Sequence, residues 1–259
     1  MNESMNSPAD TGSGSGTASD TSGFGLSLGR LAEVFHAPVA MFQNMASRWG
    51  WTDWVVPILV VIIGSVGLSV YVIPHLDLVA DTRAALEARG LGPDQIEEQV
   101  SQQRALFEGP FGAVMAFIPV ITVPATLLIL ALIFWGGASI MGGRITFGRM
   151  FSVFGYAWMP KLAEGLLLLF VIQGREGIRP SRVPSLLVTN PASFLDPSAA
   201  GTPLYALLAS FNPFTLWTML LVALGLAGMG KMSRGSAYMV VGGLYAVWIL
   251  VQLGWSALF

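Results

Sequence analysis

The chain has 259 residues, 54% of them hydrophobic and only 11% charged, with a net charge of -2 and no cysteine. An average soluble domain carries roughly 25% charged residues, so this composition excludes an ordinary water-soluble fold. Without a basic run to neutralise phosphates, nucleic acid is excluded as a partner, and without cysteine there are no disulfides, thiolate metal sites or cysteine nucleophiles.

The first 23 residues, Met1 to Gly23, are mostly Ser, Gly, Thr and Asp, with no Lys or Arg and no apolar core, so they are not a secretory signal. Too little apolar surface is available there to offset ordering entropy, which predicts a disordered tail over 1–25. One membrane domain is expected over 26–259.

From Leu28 through Leu31, Val34, Phe35, Val39, Phe42, Met45 and Trp49, apolar residues recur at three- and four-residue steps, the signature of one helical face. Pro38 predicts a bend at Ala37 and a second short helix reaching Arg48. An amphipathic, interfacial helix pair follows, with Phe35, Phe42, Trp49, Trp51 and Trp54 at headgroup level and Arg30 and Arg48 toward lipid phosphates. Ordinary packing of the same face on the protein is the open alternative.

Five apolar stretches then approach or exceed the roughly 20 residues that cross a bilayer as helix: Val55 to Ile73, Phe111 to Ile140, Phe151 to Ile172, Phe214 to Gly230 and Ala237 to Phe259. The fold class is therefore an all-α integral membrane protein with five transmembrane helices. Between the first two crossings, 75–110 is acidic and broken at Gly90-Leu91-Gly92-Pro93, which predicts a small extramembrane helical hairpin with Asp94 as cap or first-turn acid. Pro119 and Pro124 predict kinks in the second crossing. The loop from Gly174 to Asn212 reads as short helical pieces on the surface, with turn signals at Asn190-Pro191 and Asp196-Pro197.

Orientation follows from basic residues in short loops. Arg144 with Arg149, and Lys231 with Arg234, have no acidic neighbours. This places the N-terminus and both short loops in the cytoplasm, with both long loops and Phe259 on the other face.

No HExxH, nucleophile elbow, P-loop or dinucleotide fingerprint occurs, and His36 and His75 lie far apart, so no catalytic, cofactor or metal residue is assigned. Lys161 and Glu164 are the costly feature: two charges on one helix face inside the third apolar stretch. A lone pair makes a poor ion relay, so they read as a structural pair fixing the bundle. The alternative is a small transporter or channel with Lys161 and Glu164 in the bundle core beside helices broken at Pro119, Pro124 and Pro160. Small-residue spacings, Ala138 with Gly142, Ser139 with Gly143, Ala223 with Ala227 and Gly242 with Ala246, permit close helix contact, including a homo-oligomer.

Several segments carry a family resemblance: EVFHAPVAMFQNMASRWGWTDWVVPIL, FEGPFG, GGRITFGRMFSVFGYAWMP, FNPFTLWTMLLVALGL and SRGSAY. In this order the chain resembles the Yip (Ypt/Rab-interacting protein) family, in its bacterial form, from about Ala32 to Leu258. Gly155-Tyr156 followed by Pro160 matches the family's GYxxxP pattern, and Glu108-Gly109-Pro110 is a looser echo of its acidic DLYGP motif, lacking the Asp and Leu-Tyr. The resemblance implies five crossings, a cytoplasmic N-terminus and a C-terminus across the membrane. Eukaryotic members of that family are linked to vesicle traffic and membrane shaping, and the family offers no settled activity for bacterial members. Dense architecture without chemistry points to a non-enzymatic role in organising or recruiting membrane proteins or lipids, with lipids and an unknown membrane protein as partners. Under this expectation Tyr156, Pro160, Lys161 and Glu164 build the bundle, and Arg144 and Arg149, with Arg30 and Arg48, meet headgroups. The abundance of Ala, Gly and Arg points to a high-GC bacterium and hence to the plasma membrane.

Overall fold

The computed structural model describes residues 16–196, 199 and 201–258; of the disordered tail expected over 1–25, residues 1–15 lie outside the described residues and 16–25 are helical instead. Among the described residues there is no β-strand, only an isolated bridge between Leu76 and Ile178. Proline punctuates the chain throughout. Pro38, Pro93, Pro110, Pro119, Pro203 and Pro213 each open a helix, where the missing N–H costs nothing and the fixed φ is already helical.

The first helices are α1 (Gly16–His36) and α2 (Pro38–Ser47), separated at Ala37. They are followed by α3 (Thr52–Val72), the hairpin α4 (Ala80–Ala88) and α5 (Pro93–Glu108), then α6 (Pro110–Met115) and α7 (Pro119–Ile140). The remainder is α8 (Phe147–Ala157), α9 (Met159–Ile172), α10 (Pro203–Ser210), α11 (Pro213–Met229) and α12 (Arg234–Leu258).

Four segments are long and apolar enough to cross a membrane: Thr52–His75, Pro119–Ile140, Phe147–Ile172 and Arg234–Ala257. A fifth crossing is completed when α10 and α11, bent by 53° at their junction, are taken as one. The apolar stretches and the helices differ in instructive ways. Pro119 does not kink a long second crossing; it starts α7 after a turn that separates off α6. The third crossing begins at Phe147 rather than Phe151 and breaks at Trp158, with Pro160 in the first turn of α9.

At the centre lies α8, in contact with α1, α3, α7, α9 and α11. Its residues from Ser152 to Ala157 are all buried. Small residues set the distances there: a Cβ on Gly155 would sit 3.0 Å from Cγ of Pro57 on α3, and Gly225 of α11 faces Val153 and Phe42 with no room for one.

Of the two readings open for the N-terminal pair, packing on the protein describes its apolar face. Val34, Met41, Phe42 and Met45 are fully buried in the same core as α8 and α11, and α2 lies along α11, with Gly228 against Phe42. Phe24, Leu26 and Leu28 remain exposed, while Phe35, partly exposed, packs edge-on against Trp217 of α11 at 5.5 Å. The helix is thus shared between the bundle and its surroundings. Phe42, expected at headgroup level, is instead a core residue because glycines on α11 open a slot for its ring.

The long loops meet at one end of the bundle. Asp77 N–H donates to Ile178 at 2.9 Å, Ile178 N–H donates to His75 at 3.0 Å, and Asp81 accepts from the Ser181 N–H at 2.8 Å and hydroxyl at 2.7 Å. The hairpin has its own small core of Val79, Leu86, Ile96 and Val100. Gly92, not Asp94, occupies the N-cap of α5, leaving Asp94 as a first-turn acid. Asn190 does cap the short 3-10 turn Pro191–Phe194, accepting from the Ala192 N–H at 3.0 Å.

Candidate functional site

The short loops gather at the opposite end. Arg144 N–H donates to the Gly230 carbonyl at 2.9 Å, and Gly143 abuts Met232, so the 141–146 and 230–233 connections form one surface. Trp49 joins it: its indole N–H donates to Ser152 at 2.9 Å, its ring covers Gly148, and the Arg149 guanidinium sits 5.8 Å above it. A cation over an indole face is held by the ring quadrupole. Arg149 is therefore partly spent on Trp49, whereas Arg48, Arg144, Lys231 and Arg234 are exposed.

Just inside this end lies a buried polar cluster. Arg30 is 6% exposed and Asp53 1%, and their side chains are ion-paired. Asp53 Oδ1 also accepts from Ser27 Oγ at 2.9 Å, and Oδ2 from the Gly50 N–H at 2.9 Å. Ser27 Oγ is 3.0 Å from Thr52 Oγ1. The Tyr156 hydroxyl completes the group, 3.2 Å from the Ser27 carbonyl and 3.4 Å from Asp53 Oδ1. Arg30 thus does not face lipid phosphates as expected. Ser27, Arg30 and Val34 share the face of α1 that packs inward, and a buried guanidinium needs its countercharge within reach. Asp53 is well placed because it also lies in the first turn of α3, where the helix dipole favours an acid.

The second cluster ties α9 to the broken fourth crossing. Lys161 Nζ is 2.7 Å from Glu164 and donates to Thr215 Oγ1 at 2.8 Å. The Asn212 amide donates to the other Glu164 oxygen, and Asn212 Oδ1 accepts from the N–H groups of Phe214 at 2.9 Å and Thr215 at 3.4 Å, capping α11. The pair's side chains are half-buried. A break within an apolar crossing leaves backbone groups needing partners, and this network supplies them at the start of α11.

Tyr156 and Pro160 are buried in α8 and α9; Lys161 and Glu164 join one another; Arg144 and Arg149 lie together at the short-loop end. The Tyr156 cluster and the Lys161 cluster are separate sites. Sequence reasoning missed Ser27, Asp53 and Asn212. The available signal was an acid, Asp53, placed between Trp51 and Trp54 at the mouth of an apolar run, where an unpaired charge is costly. His36 and His75 each bond the carbonyl four residues earlier, Ala32 and Tyr71. No group of three or more potential metal ligands occurs among the described residues.

Five potential crossings, with α8 of the third at their centre and two interhelical polar clusters fastening them, define a multi-pass helical membrane protein. The Yip1 domain family model matches residues 32–256, and the chain belongs to that family. Comparison with curated proteins and with solved structures returns no match.

Proposed function

We propose that this protein is a non-enzymatic organiser of its membrane, recruiting membrane proteins or lipids to a fixed face at the short-loop end. The observation that carries this reading is the joining of three chain segments there. Trp49 after α2, the 141–146 loop and the 230–233 loop are linked by backbone and side-chain contacts. The result is a preorganised surface displaying Arg48, Arg144, Lys231 and Arg234. Preorganisation lowers the ordering cost of association, and basic side chains in short loops match a cytoplasmic face. In this reading the face is cytoplasmic and the membrane is the bacterial plasma membrane. Lys161 and Glu164 act as a crosslink between α9 and α11, both being committed to bonds that hold the α11 start.

Photo-crosslinking in cells from positions 144 and 48, followed by mild-detergent purification and mass spectrometry, tests the proposal. A reproducible membrane-protein or lipid adduct that is lost on Arg144→Glu is the expected result. Adducts unchanged by that substitution would count against the face.

A further inference from the structure

Between α1 and α2 lies a groove of about 290 Å³ lined by Leu26, Arg30, Glu33, Asn44, Ser47 and Arg48. Its charges are arranged unusually. Arg30, only 6% exposed, is cancelled by Asp53. Glu33 and Arg48 line the same groove with opposite sign, yet no ion pair joins them, and neither side chain has a partner among the described residues. The Asn44 side-chain amide is likewise uncommitted, since the Ser47 hydroxyl and the Arg48 N–H both donate to its backbone carbonyl. The groove is therefore electrically neutral, with an unpaired acid, Glu33, on α1 and an unpaired base, Arg48, at the end of α2.

We propose that this groove binds the headgroup of an amine-bearing zwitterionic phospholipid, a phosphoethanolamine. Its phosphate meets Arg48 and the Asn44 amide, with the charge-assisted hydrogen bonds that a guanidinium gives a phosphate, and its ammonium donates to Glu33. A purely anionic headgroup would leave Glu33 facing a like charge, and a quaternary ammonium has no N–H to give it. The depth fits: Arg30 pairs with Asp53 in the first turn of the first crossing, and exposed Leu26 lines the groove for an acyl chain. This deepens the reading of the short-loop end as a binding face, and the two fail separately, because crosslinking from position 144 reports on the loops whereas the groove is read by lipid titration.

The test uses the full chain, delipidated in detergent and titrated with short-chain phosphatidylethanolamine, phosphatidylcholine or phosphatidylglycerol, reading thermal stability. The ethanolamine lipid should raise the melting temperature most. Glu33→Gln should weaken its binding on the order of tenfold, the loss of one charge-assisted hydrogen bond, and bring it level with the choline lipid. Arg48→Gln should weaken both. Both side chains lack partners, so neither variant should lower the melting temperature of the lipid-free protein. An equal or larger shift with the glycerol lipid, or an unchanged ethanolamine preference in Glu33→Gln, would overturn the proposal. An equal shift from soluble phosphoethanolamine alone would overturn the assignment to lipid.

Discussion

The Tyr156 hydroxyl of α8 lies 3.4 Å from the carboxylate of Asp53 on α3, in a cluster that also holds Ser27 and Arg30 of α1. Three helices from distant parts of the chain are fastened at this point. Because the Arg30 and Asp53 side chains are only 7% and 2% exposed, what matters is the cost of leaving one of them alone.

Asp53→Ala strands the Arg30 guanidinium and should destabilise the protein by about 3–5 kcal/mol. The double variant Arg30→Met with Asp53→Leu removes both charges together and should recover much of that loss. Thermal unfolding in detergent of the two single variants and the double variant checks this. A double variant no more stable than Asp53→Ala would show that the hydrogen bonds to Ser27 and Gly50 outweigh the charge.

Gly155→Ala places a methyl 3.0 Å from Cγ and 3.2 Å from Cβ of Pro57, on a ring that cannot turn away. The expected cost is about 1–3 kcal/mol of overpacking. Gly242→Ala, where nothing lies within 4 Å, should be neutral. The same melting assay on both variants distinguishes close packing at α3 and α8 from a general effect of removing glycine.

Asn212 has two tasks, capping α11 and holding Glu164. Asn212→Ala should lose both, with about 1 kcal/mol for the cap alone. Asn212→Ser keeps a capping oxygen and should fall between it and the parent protein. Equal melting temperatures for the Ala and Ser variants would mean that the bond to Glu164, not the cap, is what counts at this break.

In the hairpin, Arg83 and Glu97 are paired at 2.8 Å but exposed, so Arg83→Ala should cost no more than about 1 kcal/mol. Val100 is fully buried in the hairpin's own small core. Val100→Asp should open the hairpin and accelerate proteolysis between α4 and α5, while Arg83→Ala leaves the cleavage rate nearly unchanged. Limited proteolysis in detergent compares them.

The absence of native cysteine makes orientation directly measurable. Ser233→Cys and Ser101→Cys lie at the short-loop and long-loop ends. Labelling of intact cells with a membrane-impermeant maleimide should modify position 101 and spare 233. The reverse pattern would overturn the proposed topology.

Composition and hydropathy by themselves determined that this is a helical membrane protein, because a 20-residue apolar run can hide its backbone only in a helix. Proline spacing marked the Ala37 break and the start of the hairpin's second helix, since proline's fixed φ and missing N–H are local properties. Family motifs drew attention to Tyr156 and Pro160, and intramembrane charge to Lys161 and Glu164. What tertiary structure decided was who meets whom. Arg30 looks like a headgroup anchor until Asp53 is seen beside it, and Asn212 looks like a loop residue until it is found bonding Glu164. Phe42 reads as an interfacial aromatic until Gly225 and Gly228 of α11 leave it a slot. Such pairings join residues far apart in the chain, and their physical cause, the cost of an unpartnered charge or an unfilled gap, acts only once the helices are together.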